Sequence, residues 1–181
     1  NVKAWKTLQS NEVFTSPFVT VYRDVVELPD GVKIDDFYTI SVSDAAMIVA
    51  LTEDGAILLK SEYRYSCGEE LIECPAGTFD KDETDPLVVA KREMLEETGY
   101  TSKNWTYLGA TRENTSKLTN TMHIFLARDC VKVSEQHLDK TEHLDLIIVP
   151  LEKAVDMVMK NEIRCNSSAH GTLRAARIMG V

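Results

Sequence analysis

The sequence predicts a mixed α/β sandwich of the α+β class, folded as one domain. Three observations lead there. The first third of the chain is strand-like and broken by turn residues. One later segment, Asp85 to Gly99, carries both the start and the stop signals of a helix. Further apolar runs then precede a second amphipathic stretch, so the order is strands, helix, strands, helix.

In chain order, Phe18 to Tyr22 is β-branched and aromatic with a period of two, and Val25 to Leu28 is a second candidate strand. Pro29-Asp30-Gly31 is a turn signal. Phe37 to Val42 alternates, and Ala45 to Leu51 is a nearly continuous apolar run, as expected of a strand buried on both faces. Glu53-Asp54-Gly55 reads as a tight hairpin turn leading into Ala56 to Lys60, which ends near Glu62-Tyr63-Arg64. Leu71 to Pro75 is short and apolar and is closed by Pro75-Ala76-Gly77. Asp85 as N-cap and Pro86 at the first helical position start a helix from about Pro86 to Glu97, with Gly99 as its left-handed C-cap. Leu87, Ala90 and Met94 fall on its inward face. Strands follow at Trp105 to Ala110, Met122 to Ala127 and Leu144 to Pro150. Leu151 to Lys160 reads as an amphipathic helix with Ala154, Val155, Val158 and Met159 inward. Gly171 to Val181 reads as a last helix containing Leu173, Ala176 and Ile178.

Composition narrows the function. A chain of 181 residues builds one sizeable core, and 44% hydrophobic with 27% charged residues is ordinary for a globular protein. A net charge of −9 argues against nucleic-acid binding through a broad basic surface. The four cysteines form no C-x-x-C pair and suggest free thiols in a reducing compartment, the cytoplasm. Asn1 to Ser10 has no apolar signal core, and no apolar run approaches the ~20 residues of a membrane span.

The chemistry concentrates in Arg92-Glu93-Met94-Leu95-Glu96-Glu97-Thr98-Gly99. Residues four apart share a helix face, so Glu93 and Glu97 bring their carboxylates together. Such a pair repels unless a cation lies between. Arg92 and Glu96 form the second four-apart pair, in which the guanidinium can hold the carboxylate. Oxygen-only ligands suit Mg²⁺ or Mn²⁺ better than zinc.

These residues resemble the signature of the Nudix hydrolase family, G-x5-E-x7-R-E-U-x-E-E-x-G-U with U a bulky apolar residue. Gly77, Glu83, Arg92, Glu93, Met94, Glu96, Glu97, Gly99 and Tyr100 match it. The chain departs in having eight residues, Thr84 to Lys91, between Glu83 and Arg92 where the pattern has seven. Tyr100 is a soft match to the last apolar slot. The resemblance implies a Nudix-type α/β/α sandwich with a mixed β-sheet in residues 45–181, preceded by antiparallel strands in residues 1–44. It also implies that Glu93 and Glu97 are the main Mg²⁺ ligands and that the Ala76 carbonyl is a backbone ligand. Glu96 would be a further ligand or would orient the site through Arg92. The implied reaction is attack of water on a P–O–P bridge.

Glu62-Tyr63-Arg64 and Ile72-Glu73-Cys74-Pro75-Ala76-Gly77 further resemble the ADP-ribose pyrophosphatase branch, with its Q-Y-R and E-L-P-A-G segments. Glu62 and Cys74 each depart at one position. By position, Arg64 would meet phosphate and Glu73 the adenine or ribose. This similarity runs from about Pro17 to Ile163 and implies a homodimer paired through the N-terminal strands, with Phe18 and Tyr22 at the interface. It also implies a catalytic glutamate on a late loop. Glu142 is the first choice, as base or metal ligand, followed by Asp145, with Glu113 as the alternative. The branch often has S-P-G where this chain has Asn114-Thr115-Ser116-Lys117. His123 reads as a strand residue and not a catalyst.

The leading expectation is therefore metal-dependent hydrolysis of ADP-ribose to AMP and ribose 5-phosphate. Two other readings stand beside it. One is a hydrolase of GDP-mannose, another nucleotide sugar or a nucleoside triphosphate. The other is a non-catalytic nucleotide-sugar sensor, disfavoured because Glu93, Glu96 and Glu97 are all present.

Overall fold

The structure, a computed structural model, describes residues 2–181. Asn1, the first residue of the expected N-terminal strand region, lies outside the described residues. The chain divides into two compact units, Asn1–Asp44 with Arg112–Thr121, and Ala45–Thr111 with Met122–Val181.

The N-terminal unit is a three-stranded antiparallel sheet in the order β1 (Lys6–Thr15), β2 (Thr20–Glu27), β3 (Lys33–Ser41). The two strands expected at Phe18 to Tyr22 and Val25 to Leu28 are one strand, β2. Shifts in register between Asp24 and Val26 against β3 interrupt its alternation. The unforeseen strand β1 is exposed at every position, so it carries no burial period for the sequence to reveal. The segment Arg112–Thr121 joins β3 through an isolated bridge between Ile40 and Leu118.

The larger unit is organised by β4 (Ala45–Thr52), the apolar run, whose residues from Ala45 to Leu51 are all buried. It pairs antiparallel with β5 (Ala56–Arg64) and β7 (Ala76–Thr78), and parallel with β10 (Met122–Lys132). β6 (Glu69–Glu73) and β11 (Leu144–Pro150) flank β5, while β8 (Tyr100–Thr101) and β9 (Asn104–Thr111) flank β10. The Glu53–Gly55 turn forms as expected, with Gly55 at φ 81.

Alternate β4 residues face opposite layers. Ala46, Ile48 and Ala50 pack with Val89, Ala90 and Met94 of α1 (Pro86–Thr98). Met47, Val49 and Leu51 pack with Leu151, Ala154 and Met157 of α2 (Leu151–Met159) and Ala175 and Ala176 of α3 (Asn166–Met179). This unit is thus an α/β/α sandwich on a mixed sheet.

The outer helices differ from expectation in detail. In α2, Met157 is buried and Met159 is 74% exposed. The reason is the closing turn: Glu162 and Ile163 both donate to the Met157 carbonyl, and buried Ile163 covers that side. In α3, Leu173 and Ile178 are exposed while Ser168, Gly171, Thr172 and Ala175 face inward. Close approach decides this, because a Cβ on Gly171 would lie 2.5 Å from Met47 Cε and 3.0 Å from Val49 Cγ2. Among the described residues no helix is long and apolar enough to cross a membrane.

Candidate functional site

Helix α1 sets the site. The Asp85 carboxylate accepts from the Leu87 amide at 2.9 Å, Pro86 opens the first turn, and Gly99 closes the helix at φ 75. A side chain on Gly99 would also strike the Ser134 carbonyl at 2.2 Å, so the helix stops there for two independent reasons. With both ends fixed, Glu93 and Glu97 lie on the buried face, and Glu96 is half-exposed beside Arg92.

Arg92 is the hub on the outer side. Its Nε and Nη2 meet the two Glu83 carboxylate oxygens at 3.0 and 2.8 Å. Its Nη1 reaches Glu93 at 2.7 Å and Glu96 at 3.1 Å. The extra residue between Glu83 and Arg92 therefore leaves this pair in contact, since the loop ahead of the helix absorbs it. Hydrogen bonds from Arg92 and the Asp80 amide hold the Glu83 carboxyl below its ordinary range, and Glu83 in turn holds Arg92 above its own.

Lys60, read from sequence only as the end of a strand, proves central. It is 2% exposed, in the middle of the sheet between β6 and β11. Its ammonium is hydrogen-bonded to Glu97 Oε1 and lies 3.2 Å from Glu62 Oε2. The second Glu97 oxygen accepts from the Ala76 amide at 3.0 Å. Burial pushes the Glu97 carboxyl up to about 7, against the pull of Lys60 and the amide. Burial also disfavours the Lys60 charge, but Glu97 and Glu62 outweigh it and hold the ammonium above its usual range. Glu93 is raised by burial as well, with Arg92 opposing. A buried lysine on a strand signals nothing in sequence unless its alternation with Leu58 and Glu62 is weighed: all three share the α1 face.

On the same strand, the Arg64 fork grips Glu73 at 2.7 Å and reaches Glu62 at 3.2 Å. Glu73 is thus a buried carboxylate with a partner, as a carboxylate in an apolar strand must be. Beyond β10, the chain is clipped to the end of α1: the Gln136 side-chain Nε2 donates to the Glu97 carbonyl at 2.7 Å and the His137 backbone amide to the Glu96 carbonyl at 2.8 Å. A turn then follows in which the Asp139 amide donates to the Glu142 carboxylate at 3.0 Å.

These groups line one cavity of about 390 Å³. Arg64, Ala76, Arg92, Glu93, Glu96, Glu97 and Glu142 all border it, as do Lys60 and His137, which sequence reasoning did not single out. Glu73 stands behind Arg64 and not on the wall. Asp145 sits exposed on β11 opposite Ser61, outside the lining, and Glu113 belongs to the N-terminal unit. His123 bonds the Tyr107 hydroxyl at 2.9 Å and packs on Phe79, in keeping with a strand role.

The residues suit a divalent ion. Seven carboxylates face three cationic side chains across the cavity, and the candidate donors are all oxygens. Gly77 makes the cradle: a Cβ there would fall 1.9 Å from the Glu93 carboxyl carbon and Oε1. Only a bare backbone lets that carboxylate lie against the Ala76–Gly77 segment.

Comparison with known proteins agrees with this geometry. The NUDIX domain description matches residues 42–165, and the nucleoside diphosphate sugar hydrolase N-terminal domain matches residues 5–40. The chain is 31% identical over 159 residues to an ADP-ribose pyrophosphatase of Bacillus subtilis, covering 87% of this chain and 85% of that one. It is 29% identical over 159 residues to a methanol dehydrogenase activator of Bacillus methanolicus, with the same coverage of 87% and 85%. A solved structure described as an ADP compounds hydrolase shares the fold, with a TM-score of 0.80 at 23% identity over 99% of this chain and 98% of that one. A signature helix with both caps in place, its acidic residues around one cavity and a domain match over most of the chain lead to one conclusion: the chain belongs to the Nudix family.

Proposed function

We propose that this chain hydrolyses the pyrophosphate bridge of a nucleoside diphosphate sugar, with ADP-ribose as the first substrate, giving AMP and ribose 5-phosphate. The observation that carries the proposal is the single cavity shared by Glu93, Glu96 and Glu97 of α1, Arg64 of β5 and Glu142. The match of residues 5–40 to a nucleoside diphosphate sugar hydrolase domain and the identity to an ADP-ribose pyrophosphatase support the substrate class.

Each residue has a task. Arg64, held in plane by Glu73 and Glu62, presents its fork to a phosphate. Arg92 fixes Glu93 and Glu96, while Lys60 and the Ala76 amide fix Glu97. Glu142 accepts the proton of the attacking water at its carboxylate. Glu93, Glu96, Glu97 and the Ala76 carbonyl would hold a divalent ion, Mg²⁺ in our reading, which supplies positive charge to the phosphate oxygens as the P–O bond breaks.

The N-terminal unit supports a homodimer. Its edge strand β1 is exposed throughout, and Val13, Phe14 and Phe18 present apolar surface, which isolated sheets seldom leave uncovered. Light scattering of the purified protein tests this, and a monomer at all concentrations rejects it. Four free cysteines suit a reducing compartment such as the cytoplasm.

The decisive assay offers purified protein ADP-ribose, GDP-mannose, other nucleotide sugars and nucleoside triphosphates with Mg²⁺ or Mn²⁺, and identifies products. AMP release from ADP-ribose is the expected result. No turnover of any nucleotide sugar would reject the proposal, leaving a triphosphate hydrolase if a triphosphate is cleaved and a sensor role if nothing is.

A further inference from the structure

Glu93 and Glu96 share Arg92 with Glu83, and Arg64 is engaged by Glu73 and Glu62. Glu97, the most deeply buried acid of the helix, has a different cation, Lys60. That cation is not a surface lysine that drifted inward. It projects from a central strand, with β6 paired on one side and β11 on the other. Its stem is enclosed, and its ammonium has Glu97 and Glu62 as salt-bridge partners. Between Lys60 and the Ala76 amide, both oxygens of Glu97 already receive a donor. A dication approaching Glu97 must use the remaining lone pairs, at close range to a fixed positive charge in a poorly screened setting.

We propose that Lys60 is a resident cation of the carboxylate cluster: its ammonium takes up part of the charge of Glu97 and Glu62 and thereby restrains the affinity of the site for divalent ions. Lys60 acts through Glu97 and is a positioning residue. Its charge, paired with Glu97 and Glu62, sets how tightly a divalent ion is held. This inference rests on the assignment of the metal site to α1.

The test is Mn²⁺ binding to the full chain at mildly alkaline pH. Free ion is counted by electron paramagnetic resonance, and melting is followed with and without Mn²⁺. Lys60→Met keeps the length of the stem and removes the charge. It is expected to bind Mn²⁺ at least ~10-fold more tightly than the wild type, since a charge repelling the ion at short range is gone. Its melting temperature should be lower without Mn²⁺ and should rise more on adding the ion than that of the wild type, as linkage requires. Lys60→Arg should retain wild-type binding. A purely structural ion pair would lower the melting temperature and leave the Mn²⁺ isotherm unmoved, so a folded Lys60→Met with wild-type or weaker binding overturns the proposal. Should Lys60→Met be unfolded without metal, saturating Mn²⁺ is expected to refold it, and failure to do so overturns the proposal as well. Wild-type protein that binds no Mn²⁺ would instead reject the metal site itself, a result separable from a wild type that binds and a Lys60→Met that does not differ.

Discussion

Two buried carboxylates, one in each compact unit, show how differently a fold can treat the same group. Asp24, in the middle strand of the N-terminal sheet, is 8% exposed and accepts from the Ser10 hydroxyl at 2.5 Å and the Thr39 hydroxyl at 2.9 Å. Neutral donors on both neighbouring strands satisfy it. Glu97, on α1, is held by an ammonium and a backbone amide and shares its cavity with other acids. The first arrangement is complete as it stands and serves to tie three strands together. The second gathers more negative charge than its side chains neutralise, and such an excess is useful only where a cation or a polyanion with cations comes to bind.

The comparison breaks most visibly at Glu97. Glu97→Gln should lower kcat for ADP-ribose by more than ~10²-fold, because it removes charge from the site that stabilises the transition state. Steady-state kinetics of folded protein check this, and wild-type kcat would place Glu97 in the same structural category as Asp24. At Asp24, the expectation is reversed. Asp24→Leu should cost about 2 kcal/mol of stability by stripping two hydroxyls of a charged acceptor, measured by denaturant unfolding. Asp24→Asn should recover part of that loss, since its carbonyl oxygen still accepts from one hydroxyl and its NH2 can donate to the other.

A smaller effect sharpens the role of the cradle. Gly77→Ala must displace the Glu93 carboxylate, which would otherwise lie 1.9 Å from the new methyl group. A fall of about 10-fold in kcat, equal to about 1.4 kcal/mol, is expected with little change in melting temperature. An unchanged kcat would mean that Glu93 need not rest against the Ala76–Gly77 segment. Asp85→Ala should cost about 1 kcal/mol of stability through loss of the helix cap, read by thermal melting, and a cost near zero would show that packing alone holds the helix start.

What could be read beforehand follows from where burial leaves a period. β4, α1 and β11 were legible because apolar spacing or capping residues marked them, and α1 carried the acidic residues of the site with it. β1 was invisible because every one of its side chains is exposed. In α3 the inward residues are small and partly polar: of the three apolar residues that marked the helix, Ala176 is buried, while Leu173 and Ile178 face away from the core. Lys60 was missed for a related reason: its hydrogen-bond partner Glu97 is distant in sequence, and only the packing of β5 beneath α1 joins them. Glu73 had its partner one hairpin away in Arg64, a pairing that depends on the register of β5 and β6.

The clip at the end of α1 has a consequence for Glu142. Gln136 and His137 fasten the chain on one side, and on the other Leu144 is already paired with Glu62 in the sheet. Two peptide units separate Glu142 from Leu144, so its Cα can wander no further than about 7 Å from that strand end while the pairing lasts. If Glu142 is the base proposed above, the phosphorus under attack must come within reach of a side chain held on this short leash.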